Sequence, residues 1–193
     1  MPSKPTMRKL RLFLTIALIA LTAGGARAQS LDSEDSEYVI KAGFIYNFAK
    51  FVEWPSGSFS RPNAPIVIGV LGNDRFADVL EKIVSDKKID VRGFVVKRLK
   101  WGKDVKDCNI LFIAAPEKAH ADDLVQLTKG TAILTIGETP GFAKRGGIIN
   151  FTIEDSKVRF EVNVDAAKQA DLNISSRLLS LARIVQESVA AAR

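Results

Sequence analysis

Catalytic chemistry has few places to start in this chain, because its 193 residues hold one histidine, His120, and one cysteine, Cys108. His120 lies at the polar start of a predicted helix, between Ala119 and Ala121, the setting of a solvated or capping side chain. No H-E-x-x-H, C-x-x-C or G-x-S-x-G pattern occurs, so zinc, dithiol redox and serine-hydrolase chemistry have no support. Gly69 and Gly72 do not complete G-x-G-x-x-G, and G-x-x-x-x-G-K-S/T is missing, which removes the nucleotide loops. Asp104 with Asp107, and Asp122 with Asp123, read as ordinary solvated charge. The expectation is a protein without catalysis, metal or cofactor.

A lone cysteine cannot form an internal bridge, so Cys108 is either a buried thiol or an intermolecular one. Its place at the head of an apolar strand favours the buried thiol. Net charge of one sign is also lacking once residues 1–28 are set apart. That stretch reads as a secretory signal: Lys4, Arg8, Lys9 and Arg11 are followed by the apolar run Leu12 to Ala23 and by Ala26-Arg27-Ala28, a small-x-small cleavage site before Gln29. The run is short of the roughly 20 residues of a spanning helix, and no cysteine follows the site to carry a lipid. Five of the 28 basic residues and none of the 22 acidic ones lie in residues 1–28, which leaves 23 against 22. A near-neutral chain has no electrostatic footprint for nucleic acid. The expected product is a periplasmic protein cleaved after Ala28, with residues 29–193 as a single domain around one core.

What the sequence does have is a strongly apolar, aromatic stretch from Lys41 to Pro55. Ile40, Phe44, Phe48, Phe51 and Val52 recur at spacings of three and four, and Ile45 and Ala49 widen the stripe, so a core helix is predicted there. Asp35 or Ser36 can cap its start after a frayed lead-in over residues 31–37, and Pro55 ends it near Val52 or Glu53. A loop over residues 56–65 leads to three apolar runs, Ile66 to Leu71, Cys108 to Ala114 and Ala132 to Ile136, which read as strands covered on both faces. Val91 to Leu99 is a fourth strand. Helices are predicted from about Asp74 to Ser85 and from Pro116 to about Lys129. Such alternation argues for an α/β layer with a largely parallel sheet flanked by helices.

Residues 148–164 alternate on either side of a turn at Glu154 to Lys157, the pattern of an antiparallel hairpin with one wetter face. Asp165 is expected to cap a short helix to about Leu172. A terminal helix should begin at Ser175 or Ser176, with Leu178, Leu181, Ala182, Val185 and Val189 inward. Within the hairpin Asn150, Glu161 and Asn163 interrupt apolar strands, and Arg177 sits beside the leucines of the last helix. An unpaired buried charge is costly, so Glu161 and Arg177, if inside, should pair; Asn150, Glu161 and Arg177 are read as a polar clasp, with a ligand site as the alternative. The glycine-rich loop Gly137 to Gly147 carries Phe142, Lys144 and Arg145, with Phe142 expected to be exposed as an anchor of partner recognition.

The segments K-A-G-F-I-Y-N-F-A-K-F-V-E-W-P (41 to 55), I-V-I-G-V-L-G (66 to 72), I-L-F-I-A (110 to 114), A-I-L-T-I-G-E (132 to 138), G-G-I-I-N-F (146 to 151), V-R-F-E-V-N (158 to 163) and I-S-S-R-L-L-S-L-A-R (174 to 183) occur in this order. Together they closely resemble the YfiR-like family of small exported bacterial proteins. The resemblance implies a periplasmic regulator. In the family's founding member the protein restrains an inner-membrane diguanylate cyclase, and so cyclic di-GMP signalling, by binding the cyclase's periplasmic part, and an outer-membrane lipoprotein relieves it by sequestration. Some YfiR-like proteins are stapled by internal disulfides, which one cysteine cannot provide. The alternative function is a periplasmic small-ligand sensor, with its ligand in a cleft at the carboxyl ends of the parallel strands. A homodimer is compatible with either.

Overall fold

The computed structural model describes residues 25–102 and 105–187, with side chains from residue 34 onward. Most of the expected signal segment, and Val189, lie outside them. The chain divides between Glu37 and Tyr38 into two compact units, and the sheet belongs wholly to the second.

Helix α1 runs Gly25–Phe51 and starts well before the expected cap, so Asp35, Ser36 and the supposed lead-in lie within it. No proline interrupts this span, and Pro55 stops the helix close to where the sequence indicated. A seven-stranded sheet follows, built from β2 (Ile66–Leu71), β3 (Phe94–Leu99), β4 (Ile110–Ile113), β5 (Leu134–Gly137), β6 (Ile149–Glu154), β7 (Lys157–Asn163) and β9 (Arg183–Val185), in the spatial order β3-β2-β4-β5-β6-β7-β9. All pairings are parallel except the β6/β7 hairpin. Its turn places Asp155 and Ser156 in the left-handed region (φ 48° and 58°), as a tight hairpin requires. Two short strands, β1 (Val52–Glu53) and β8 (Asn173–Ile174), pair antiparallel beside it. The fold is thus a mixed α/β layer with a largely parallel sheet and a C-terminal antiparallel hairpin.

Alternation along the strands divides the interior into two cores. On one face Ile68, Val70, Phe112, Ile136, Phe151 and Phe160 meet α1 and α2 (Asp74–Val84). Phe48 of α1 lies 5.0 Å from the Phe160 ring and 5.7 Å from Phe151, and Phe76 of α2 lies 4.5 Å from Phe112. Burying each such phenylalanine contributes about 1.5–3 kcal/mol, so α1 is fixed chiefly by its aromatic stripe. On the opposite face Leu71, Leu111, Ile113 and Ile133 pack with Leu124 and Val125 of α3 (Ala121–Thr128), which follows a 3-10 turn over Ala115–His120.

The C-terminal part departs from expectation. Helix α4 (Val164–Gln169) is capped by Asn163 and not by Asp165: the Asn163 side chain accepts the Ala166 N–H at 2.9 Å while its amide donates to the Ala143 carbonyl at 2.8 Å. Helix α5 begins after Ser175 as anticipated but is a single turn, Ser176–Leu179. The chain then extends into β9, leaving Leu181 69% exposed and not inward. The β-branched residues Ile184 and Val185, and a buried carboxylate on β7 that needs a cation, outweigh a stripe that has helical spacing on paper.

Candidate functional site

The strand registers set Gly137, Asn150, Glu161 and Arg183 side by side across β5, β6, β7 and β9. Asn150 is fully buried and donates to Glu161 Oε2 at 3.1 Å. Glu161, whose side chain is 5% exposed, accepts from Arg183 at 2.7 Å, and Arg183 also meets Glu154 at 3.1 Å. Hydrogen bonding to Glu161, reinforced by both carboxylates, raises the Arg183 pKa. The clasp is therefore Asn150, Glu161 and Arg183, not Asn150, Glu161 and Arg177. Arg177 is exposed on α5, with its guanidinium 5.6 Å from the Phe51 ring. Sequence reading misses Arg183 because it falls within the predicted terminal helix; the signal for it is a lone glutamate on an apolar strand together with an arginine before the β-branched pair Ile184-Val185.

Loop Gly137 to Gly147 is organised around Phe142, which is fully buried, contrary to the expectation of an exposed anchor. The ring lies directly on the backbones of Gly137 and Gly147, where any Cβ would collide with it. Glycines at these positions leave room for the ring, and the ring seals the second core. Lys144 and Arg145 stay exposed on the 3-10 turn Ala143–Arg145. Arg145 is pinned by Asp122 at 2.7 Å and by the Pro140 carbonyl at 2.8 Å, so it braces the loop against α3.

The carboxyl ends of the parallel strands, where a sensor would hold its ligand, are occupied by the protein's own side chains. Lys41 of α1 and Glu138, 6% and 13% exposed, form an ion pair at 2.6 Å, and Glu138 also accepts the Ala115 N–H at 2.8 Å. Asn73, the cap of α2, donates to the Tyr38 hydroxyl at 2.9 Å, and Glu117 packs on Gly72. His120 stacks on Trp101 with ring centroids 4.3 Å apart. At the amino ends, a cavity of about 270 Å³ is lined by loop residues and Cys108. The thiol is buried, bonded to the Val105 carbonyl at 3.2 Å, and pushed up by burial to about 12, which makes it a poor nucleophile.

An apolar groove of about 320 Å³ lies where α1, β7 and α5 meet. Phe44, Phe51, Phe160, Leu178 and Leu181 line it, and Lys50 and Arg177 bring two cations to it. Both cations stand over Phe51, at 5.9 and 5.6 Å, and neither has a carboxylate partner among the described residues. Ile40 on α1 and Ile184 on β9 are further large apolar side chains left exposed, at 48% and 50%. Sequence reading assigned Phe44 and Phe51 to the core because their spacing fits an inward stripe. The end of that stripe opens onto solvent because α5 is one turn long and does not cover it.

Among the described residues no helix is long and apolar enough to cross a membrane. A family model described as YfiR/HmsC-like matches residues 38–183, which covers the sheet as far as the first residue of β9, the clasp and the groove.

Proposed function

The chain belongs to the YfiR/HmsC-like family, periplasmic regulatory proteins of cyclic di-GMP signalling, and we propose that it regulates by docking and not by turnover, with the groove between α1 and α5 as the docking surface. The observation that carries this reading is the combination of open aromatic surface with two cations that have no carboxylate partner among the described residues. Apolar side chains framing an aromatic floor, with arginine at the rim, match the composition of binding hot spots. A complementary segment presents an apolar side chain for the groove and carboxylates for Lys50 and Arg177. The partner is the periplasmic domain of an inner-membrane diguanylate cyclase, with an outer-membrane lipoprotein as the relieving competitor; export by the segment 1–28 places the chain between them. The chain acts as a regulator without catalysis.

The buried loop anchor bears on this choice. Phe142 lies under the surface, so the loop offers only Lys144 and Arg145, whereas the groove offers apolar area and charge together. The test is capture of the cyclase's periplasmic domain by purified variants. Leu181→Asp and Arg177→Glu are expected to abolish capture with melting temperatures unchanged, since both side chains are exposed. Full capture by both variants would remove the groove and return the loop cations Lys144 and Arg145 to first place.

A further inference from the structure

Along α1 the residues Ile40, Phe44, Asn47 and Phe51 follow one another at spacings of four, three and four, which sets them in one row on the helix surface. The row is turned away from the core. Ile40 is 48% exposed, Asn47 is exposed, and Phe44 and Phe51 are half-buried walls of the groove beside β7 and α5. From Ile40 to Phe51 it runs about 16 Å at the rise of an α-helix. Apolar residues alternating at three and four form the seam along which one helix packs on another, and a polar residue within such a seam fixes the register. Asn47 holds that place here.

The walls of the groove offer no strand edge. α1 and α5 are helices, and β7 meets the groove with the sheet face that packs on α1, its Phe160 ring 5.4 Å from Phe44. An extended segment therefore finds no ladder to join, whereas a helix arrives with its own backbone bonds made. The charges lie at one end. Lys50 and Arg177 both stand over Phe51, so the occupant needs carboxylates there and apolar side chains towards Ile40. Resting on the docking reading above, we infer that the segment the partner inserts is an amphipathic α-helix of about three turns. Its apolar stripe lies along Ile40, Phe44 and Phe51, a polar residue faces Asn47, and its acidic end meets Lys50 and Arg177.

Val39 supplies the control. It is also 48% exposed but stands about 100° round the helix from Ile40. That is the flank of Tyr46, whose ring meets Phe94 of β3 at 5.9 Å. The test is capture of the cyclase's periplasmic domain by purified Ile40→Asp and Val39→Asp, beside Leu181→Asp. Ile40→Asp should weaken capture about tenfold or more, and Val39→Asp should stay within about twofold of wild type. Both substitutions put the same residue in neighbouring turns of α1, so equal melting temperatures establish that the difference is one of contact; if either variant unfolds, Ile40→Ala and Val39→Ala carry the same comparison. Hydrogen exchange on the complex should show protection of a helical cyclase segment of about three turns. Capture lost with Leu181→Asp but kept with Ile40→Asp would overturn the helix and leave the groove standing, and so would protection of a strand or a loop. Equal weakening by Ile40→Asp and Val39→Asp would overturn the row. Self-association of the isolated protein that Ile40→Asp abolishes while capture persists would give the row to a second copy and overturn the proposal. Capture kept with Leu181→Asp would remove the groove itself and this inference with it.

Discussion

Glu161 lies inside the protein with a hydrogen-bond partner from each of the two strands beside β7, Asn150 on β6 and Arg183 on β9. Removing Arg183 leaves a carboxylate that is 5% exposed with Asn150 as its remaining donor. Because Arg183 itself is 56% exposed, the loss for Arg183→Ala should be about 1–3 kcal/mol, below that of a fully buried pair. Glu161→Gln with Arg183→Ala should cost clearly less than the sum of the single changes, by roughly 1 kcal/mol or more, in denaturant melts of the three variants. Arg177→Ala should leave stability within about 0.5 kcal/mol of wild type, since its charge has no buried partner among the described residues. At Cys108 the argument concerns pH. The thiol ionises near 9.0 when exposed and near 12 in the fold, so between these values the unfolded state sheds a proton that the folded state keeps. Stability from this group is complete below pH 9 and falls as pH rises, by about 1.4 kcal/mol at about pH 10. Cys108→Ala should lose that increment of pH sensitivity between about pH 8 and about pH 10. An unchanged slope would mean that the thiol is not held neutral.

At the scale of elements, the glycine-rich loop and β9 decide how the sheet's hairpin end is closed. Gly147→Ala drives a methyl group into the Phe142 ring and should destabilise by about 1–3 kcal/mol, whereas Gly43→Ala, in the open on α1, should stabilise by about 0.5–1 kcal/mol. Thermal melts of the two variants moving in the same direction would contradict this account of Phe142. The same elements mark where sequence reading ended. The parallel strands were legible because continuous β-branched runs announce burial on both faces, and the hairpin because its residues alternate. The α1 stripe and the Ser175 cap were legible from spacing and residue type. Phe142 was misread because an aromatic between glycines resembles an exposed tip; the ring in fact requires those glycines. Strand β9 was hidden because Leu178, Leu181, Ala182 and Val185 satisfy helical periodicity. What settles its conformation is Glu161 on β7, a contact between residues 22 apart in the chain, to which no local pattern has access.

For the whole molecule, the aromatic core holds α1 on the sheet while leaving one end of its stripe open beside two cations. The proposed export through residues 1–28 predicts an N-terminus at Gln29 by intact-mass measurement of the secreted product, and recovery of the uncleaved chain in the membrane fraction would contradict it. The docking proposal makes regulation depend on the groove and not on titratable chemistry, so it predicts that His120→Ala behaves as wild type. The most direct measurement is cellular cyclic di-GMP in cells whose only copy of this protein carries Leu181→Asp or Arg177→Glu, secreted at wild-type abundance. Docking through the groove predicts that cyclic di-GMP rises to the level of cells lacking the protein. Levels that stay at wild type in both variants would contradict it.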